Sequence, residues 1–370
     1  MIAKRKKPTL IDLFAGVGGL SLGGARAGFE IAGAVDINER VMEAHRRNFP
    51  NTHHLIDDLS KISGSELLRK LDVVKPDGII GGPPCQGFSV MGHRNATDDR
   101  NTLFSHFFRL VSEIRPRFFV AENVAGILDP NYSSIVASAL EHVDSDYDVI
   151  RGIEVCASDF GVPTSRRRVL FIGTLPNESG FNRDCFESRS RSKAVHVSDA
   201  LFGLPVVRSD WKAEDQGWRV VHGHAKTSFG KRLNGCVPTG VGCLESLERL
   251  RKHSEVSGCL GTAHTPDVKR RFKNLKQGSQ DPISKCVRLR PDGFCPTLRA
   301  GTGPELGSYQ AVRPIHPTSP RVITPREAAR LQGFPDWFRF DATKWHSFRM
   351  IGNSVSPILA ERILSQIVEV

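Results

Sequence analysis

The sharpest chemical feature of the chain is a cysteine held behind two glycines and two prolines, Gly81-Gly82-Pro83-Pro84-Cys85. Such a run fixes a strand-to-loop turn and offers the thiol at the edge of a sheet. A thiolate is a nucleophile, and a helix N-terminus or a nearby cation lowers a thiol's pKa. A buried cysteine in a turn that needs only glycine and proline is the competing reading, and the loop's ligand-facing position favours the first. Glu122 closes an apolar run, FFVAEN (118–123), where a carboxylate is costly unless it is used or paired. Arg166, Arg167 and Arg168 stand before or at the start of another strand, and alternation sends Arg166 and Arg168 to one side. They could pin an acceptor oxygen of a substrate, pair with Glu122, or form an exposed basic cluster.

A second kind of site begins at FAGVGG (14–19). Gly16, Gly18 and Gly19 let the backbone approach a ligand at the start of a helix. Ser21 stands where the dinucleotide fingerprint wants its third glycine, so a nucleoside without a pyrophosphate fits better. Asp36, ending the next strand, could accept both ribose hydroxyls. A tight turn that needs small residues explains the glycines nearly as well.

The elements that position these residues alternate. TLIDLF (9–14), EIAGAVD (30–36), DGIIGG (77–82), RFFVAEN (117–123) and RVLFIGT (168–174) read as strands. Between them, 38–49, 102–114 and 133–143 read as helices, with Asn38 as a cap. This predicts an α/β fold, a doubly wound and mainly parallel sheet covered by helices, in which ligands collect at the carboxyl ends of the strands. The chemical residues all fall there. Past residue 175 the pattern loosens into short pieces rich in Gly, Pro, Ser and basic residues, which predicts a second, smaller irregular domain. Regular structure returns at 324–334, where Thr324, Pro325 and Glu327 form a capping-box pattern, and in a last helix beginning at Pro357. The expected division is 1–180, 181–320 and 321–370, the last segment returning to the first domain.

Composition excludes other classes. With 370 residues, 39% hydrophobic and 25% charged, the chain is neither disordered nor a fibrous repeat. No run nears the ~18 apolar residues of a membrane span, and no apolar stretch follows the basic start as in a secretory signal; a cytoplasmic protein without membrane association is expected. The net charge is +11, of which residues 181–320 carry +10, with 23 basic and 13 acidic side chains. So local an excess reads as a surface for a polyanion, against the blander reading of a solvated basic face. None of the eight cysteines shows Cys-x-x-Cys spacing, so no metal site is expected.

Taken in order, FAGVGG, GGPPCQGFS (81–89), AENV (121–124), FGVPTSRRR (160–168), RVITPREAARLQGFP (321–335) and MIGNSVSP (350–357) resemble the DNA cytosine-5 methyltransferase family. The resemblance covers 9 to about 180 and about 320 to the end. It implies a Rossmann-like methyltransferase that transfers a methyl group from S-adenosylmethionine to a flipped-out cytosine in a specific duplex DNA sequence, with 181–320 in the place of a target-recognition domain. Cys85 is implied as the nucleophile adding to carbon 6 of the ring, Glu122 as the contact to the ring nitrogen and exocyclic amine, and Arg166 and Arg168 as holders of the ring oxygen. The donor pocket is implied at Phe14, Ala15, Gly16, Gly18, Gly19 and Leu20, with Asp36 and Ile37 at the ribose and Asp58 and Leu59 at the adenine. Pro84 and Leu103 complete its lining, and Asn353, Ser354 and Val355 close it. Gln86, Ser89, Thr297, Arg299 and Gly301 are implied DNA contacts, although PTLRAGTG (296–303) also reads as a glycine-rich structural turn.

The resemblance further implies double-stranded DNA as partner, a restriction endonuclease of the same target as companion, and a monomer. The chain departs from the family pattern at Thr164, where many members carry Gln, at Arg167, where an acidic residue is common, and at Asp57, where Gly is expected. A transfer-RNA methyltransferase of the same family and a non-catalytic nucleic-acid-binding relative are the alternatives. Retention of Cys85, Glu122, Gly16 and Asn353 speaks against the second.

Overall fold

The computed structural model describes residues 7–84, 102–176, 194–207, 216–223, 227–235, 237–300 and 313–368. By contacts the chain forms two compact units. The first holds 1–156, 167–189 and 359–370, and the second holds 157–166 and 190–358.

The first unit is the predicted α/β fold. Its elements are β1 (Thr9–Leu13), α1 (Gly19–Arg26), β2 (Glu30–Asp36), α2 (Glu39–Asn48), β3 (His53–Ile56), α3 (Gly64–Leu71) and β4 (Gly78–Gly81). There follow α4 (Thr102–Ile114), β5 (Phe118–Val124), α5 (Ser133–Leu140), β6 (Asp148–Cys156) and β7 (Arg167–Thr174). The strands lie in the order β3-β2-β1-β4-β5-β7-β6, and β7 alone runs opposite to the other six. The central strands are apolar without alternation because helices cover both faces: Leu10, Ile11, Ile79, Ile80, Phe119 and Val120 are all fully buried.

The apolar stripe of α4 explains that helix. Phe104, Phe107 and Phe108 point onto the sheet, and Phe108 meets Phe119 edge-to-face at 5.6 Å between centroids. Asn38 caps α2 as expected, its side chain accepting the Val41 N–H at 3.1 Å. On α1, Gly23 packs so tightly that a Cβ would fall 2.3 Å from the Ala360 Cβ, on the helix that ends the chain.

The second unit contains α6 (Val197–Leu201), β8 (Arg219–Val220), α7 (Ser228–Asn234), α8 (Leu244–His253), β9 (Glu255–Val256), α9 (Pro266–Asn274), α10 (Pro325–Leu331) and α11 (Lys344–Asn353). The capping box is present: Thr324 and Glu327 exchange side-chain-to-backbone bonds at the start of α10. α12 (Pro357–Val368) passes from this unit into the first at Leu359. The contact boundaries therefore differ from the expected 180 and 320. Residues 157–166 join the second unit because Thr164 and Ser165 bond to Cys295, and 321–358 pack within that unit around Arg326. The buried Arg326 guanidinium donates to the carbonyls of Ser257 (2.8 Å), Pro335 (3.0 Å) and Phe338 (2.8 Å). No described helix is long and apolar enough to cross a membrane.

Candidate active site

The parallel strands end level with one another. Leu13 pairs with Val35 and with Gly81, and Gly81 pairs with Ala121. The turn after β1, Asp36 at the end of β2, the Gly82–Pro84 loop after β4 and Glu122 on β5 therefore share one edge of the sheet. At ~4.8 Å per strand, Asp36 and Glu122 stand about 14 Å apart. The strand order reverses between β1 and β4, so this edge is also the switch point at which such sheets bind ligands.

On one side of the switch point lies the glycine-rich turn. Phe14 and Gly16 both take φ +56° and Gly18 takes +96°; a phenylalanine at positive φ is strained and marks a backbone held for a purpose. A Cβ on Gly16 would meet nothing within 4 Å, so the turn has open space beside it. The Gly16 N–H donates to Asp36 Oδ2 at 3.0 Å and the Asn38 N–H to Oδ1 at 2.9 Å. Burial raises the Asp36 carboxyl's pKa, against backbone hydrogen bonds from Asn38, Gly16 and Ile37. A carboxylate offers about four acceptor sites, so one is left for a further donor. Ile37 beside it is 68% exposed, whereas Ala15 and Leu20 are buried and Gly19 opens α1.

A third loop carries Asp58 and Leu59. Ser60 donates to Asp58 Oδ1 from its N–H (3.0 Å) and its hydroxyl (2.7 Å), which holds that carboxyl below the usual range. Arg109 on α4 clamps the loop, donating to the carbonyls of Leu59 (2.9 Å) and Ile62 (3.1 Å). Nothing in the sequence singled out Arg109 beyond its four-residue spacing from Glu113, with which it pairs at 2.6 Å. Asp57, in place of the expected glycine, pairs with Lys70 at 2.8 Å.

On the other side of the switch point, Glu122 is buried and forms an ion pair with Arg168 across the β5–β7 ladder. Both side chains are only 9% exposed. A Cβ on Gly82 would come within 3.2 Å of Glu122 Oε2, so the glycine lets the loop run close to the carboxylate. Asn123 Nδ2 reaches the Pro83 carbonyl at 3.4 Å and ties that loop to β5. Pro84, in the loop after β4, and Leu103, in the first turn of α4, are half-buried. Cys85, Gln86, Ser89 and Gly301 lie outside the described residues.

Arg166 and Arg168 part company. Arg167 begins β7 and pairs with Glu154 at 2.7 Å, while Arg166 precedes the strand and belongs to the second unit. There the buried Arg166 guanidinium donates to the carbonyls of Leu298 (3.0 Å) and Gly352 (2.7 Å). It thereby joins the Thr297–Arg299 segment to the end of α11, where a Cβ on Gly352 would sit 2.8 Å from Arg299 and Ala300 backbone atoms. Thr164, in place of the family's Gln, is buried and donates to the Cys295 carbonyl at 2.9 Å. Arg299 and Asn353 are exposed, Thr297 is half-buried, and Ser354 and Val355 are buried, the Ser354 carbonyl accepting from Gln332 at 2.7 Å.

A sheet of this order, with a glycine-rich turn after β1 and an acidic residue closing β2, defines a Rossmann-like methyltransferase. A family model of C-5 cytosine-specific DNA methylases matches residues 9–369, and the chain belongs to that family. The type II methyltransferase M.XorII of Xanthomonas oryzae pv. oryzae is 39% identical over 98% of this chain and 85% of its own length. M.DdeI of Desulfomicrobium norvegicum is 32% identical over 97% and 88%. Among solved structures, a protein described as a DNA modification methyltransferase encoded within a prophage (E. coli) superposes with a TM-score of 0.88 at 46% identity, over 98% of this chain and 99% of that one. The S. pombe Dnmt2 methyltransferase shares the fold, with a TM-score of 0.59 at 16% identity over 98% and 99%. The chain is thus a DNA (cytosine-5) methyltransferase with type II restriction-modification relatives, and its family implies S-adenosylmethionine as donor and DNA as substrate.

Proposed function

We propose that the enzyme methylates carbon 5 of a cytosine swung out of duplex DNA, through transient attachment of Cys85 to the ring, with S-adenosylmethionine held at the turn after β1. The observation that carries this reading is the meeting of Gly82, Glu122 and Arg168 beside the loop that leads directly into Cys85.

The residues present fit the donor. Open space beside Gly16, a presented Asp36 carboxylate and the exposed Ile37 suit a nucleoside, with Asp58 and Leu59 on the clamped neighbouring loop for the base. Phe14, Ala15, Gly18, Gly19, Leu20, Pro84 and Leu103 would line the rest. The donor supplies an electrophilic methyl group on a sulfonium.

The chain's own residues do the remainder. The Cys85 thiolate forms a bond to carbon 6 and pushes electron density to carbon 5. Glu122, oriented by Arg168, holds the ring nitrogen and amine. After transfer the carbon-5 proton is lost, the sulfur–carbon bond breaks and the thiolate leaves. Arg168 would hold the ring oxygen, and Arg166 would fix the 297–299 segment. The base must leave the stack for any of this, at a cost of roughly a few kcal/mol. Contacts from Gln86, Ser89, Thr297, Arg299 and Gly301, and phosphate contacts from the basic second unit, would offset that cost. A monomer suffices, since nucleophile, carboxylate and donor turn stand on one chain. The type II relatives support a place beside a restriction endonuclease of the same target.

Labelled donor offered with duplex DNA or transfer RNA tests the reading. Label is expected in DNA, with 5-methylcytosine recurring at one sequence in bisulfite reads. Label in transfer RNA alone, or in neither, would contradict it.

A further inference from the structure

Beneath the donor turn runs a buried chain of hydrogen bonds that the mechanism above leaves unused. The N-cap of α1 is Gly18, which has no side chain to accept the helix's first N–H groups. An N-cap side chain ordinarily accepts from the second or third helical residue. Here Asp12, from β1, does so instead. Its Oδ2 accepts the Ser21 N–H at 3.1 Å and the Ser21 hydroxyl at 2.6 Å. Ser21 Oγ lies 3.1 Å from His45 Nε2, and His45 Nδ1 lies 2.8 Å from His54 Nε2. Asp12, Ser21 and His45 are fully buried, and His54 on β3 is half-buried. Among the described residues Asp12 Oδ1 has no hydrogen-bond partner. His45 stacks on Phe49 at 4.3 Å, and a Cβ on Gly18 would strike both rings. The donor turn rests directly on this network.

We propose that Asp12 is a positioning residue, a displaced N-cap and charge partner of the donor turn, and that Ser21, His45 and His54 relay its proton to solvent, so that donor affinity depends on pH. The proposal rests on the S-adenosylmethionine reading given above.

The relay has two consistent arrangements. With Asp12 ionised, His54 Nε2–H donates to His45 Nδ1, His45 Nε2–H donates to Ser21 Oγ, and the Ser21 hydroxyl donates to Asp12. A proton arriving at His54 Nδ1 displaces each proton by one position. His54 gives up its Nε2 proton, His45 gains one at Nδ1 and loses one at Nε2, Ser21 exchanges its own, and Asp12 Oδ2 acquires an O–H bond. Every group ends neutral and every side-chain-to-side-chain hydrogen bond of the chain is reversed, while the Ser21 N–H still donates to Asp12. The Thr52 backbone, which also hydrogen-bonds the His54 ring, receives the new Nδ1–H.

The surroundings favour traffic near neutrality. Burial pushes the Asp12 carboxyl up to about 7, against the two Ser21 hydrogen bonds and with a further push from Asp36. Burial, then His54 and Arg46, keeps His45 neutral, and burial, then Arg46, holds His54 at about 4, with His53 adding to the push and the Thr52 bond opposing it. Neither ring therefore stores the proton. The sulfonium donor is a cation and favours the ionised carboxylate in this low-dielectric setting. Affinity is therefore full above about pH 7 and falls as the pH drops through that value.

The test is calorimetric titration of the full chain with S-adenosylmethionine from about pH 5.5 to about pH 8.5, on wild type, Asp12→Asn and His45→Phe. The donor's own amine titrates in all three, so differences between the proteins are read. Wild type is expected to bind up to about tenfold more weakly at about pH 6 than at about pH 8, the limit for one proton on a group titrating at about 7. Asp12→Asn should lose that dependence and stay near the acidic wild-type affinity. His45→Phe keeps the stack on Phe49 but removes the donor to Ser21, and should move the midpoint upward. If Asp12→Asn does not fold, that midpoint decides. Superimposable profiles for wild type and Asp12→Asn, or an unmoved midpoint in His45→Phe, would overturn the proposal. A folded wild type that binds no donor at any pH would overturn the donor-site reading itself, and this proposal with it.

Discussion

Cys85→Ser is expected to slow methyl transfer by at least about a thousandfold while donor affinity stays within about twofold. The size of the effect follows from the chemistry. A thiol with a pKa of roughly 8.5 has an accessible thiolate at neutral pH, and a serine hydroxyl has none unless a base takes its proton. Carbon 5 of cytosine is not nucleophilic until something adds at carbon 6, so the loss cannot be recovered elsewhere on the pathway. Donor affinity would be spared because, Pro84 apart, the proposed determinants stand on other loops: the turn after β1, Asp36, and the 58–59 loop clamped by Arg109. The check pairs a labelled-methyl rate with a calorimetric titration of the donor. Equal loss of both would mean that the substitution had disturbed the pocket rather than the nucleophile.

Arg168→Met carries the second large effect, and it separates folding from chemistry. Glu122 and Arg168 are each 9% exposed in their ion pair. Removing the cation leaves a buried carboxylate without its counter-charge, which costs about 3 kcal/mol of stability. Removing both charges together costs much less, because nothing ionised is then left in the apolar wall. Urea unfolding should therefore show Arg168→Met clearly destabilised and Arg168→Met/Glu122→Gln largely restored. Methyl transfer should stay at least about a hundredfold down in both. If the double variant regained activity along with stability, the carboxylate would be a structural residue only.

Much of this was legible in the chain because period and caps are local. The apolar spacing over 102–114 gives the helix Thr102–Ile114, and Asn38 and the Thr324/Glu327 pair do their capping where the side-chain chemistry demands. What escaped the sequence reading had weak local signals. β3 is HHLI at the sheet edge and β6 is mostly half-exposed, so neither makes an apolar run. The helices of the second unit are short, and their packing is set by distant partners such as the carbonyls around Arg326.

Site residues divide in the same way. Glycine and carboxylate positions at strand ends follow from the alternation of elements. The sharing of work between Arg166 and Arg168 does not, because a single residue in sequence separates a clamp on the Leu298 and Gly352 carbonyls from the partner of Glu122. Ser21, His45 and His54 were equally hidden: three polar residues on three elements become a chain only when α1, α2 and β3 pack.

The most direct measurement is covalent capture. Duplex DNA of random sequence, with 5-fluorocytosine in place of cytosine, is incubated with the protein and donor, denatured and digested. Fluorine cannot leave as a proton does, so a ring that has been attacked and methylated should stay attached to the enzyme. The account predicts a denaturation-resistant complex whose cross-linked peptide contains Cys85 and which Cys85→Ser does not form. Attachment at any other residue, or no attachment by a protein that methylates ordinary cytosine, would contradict it.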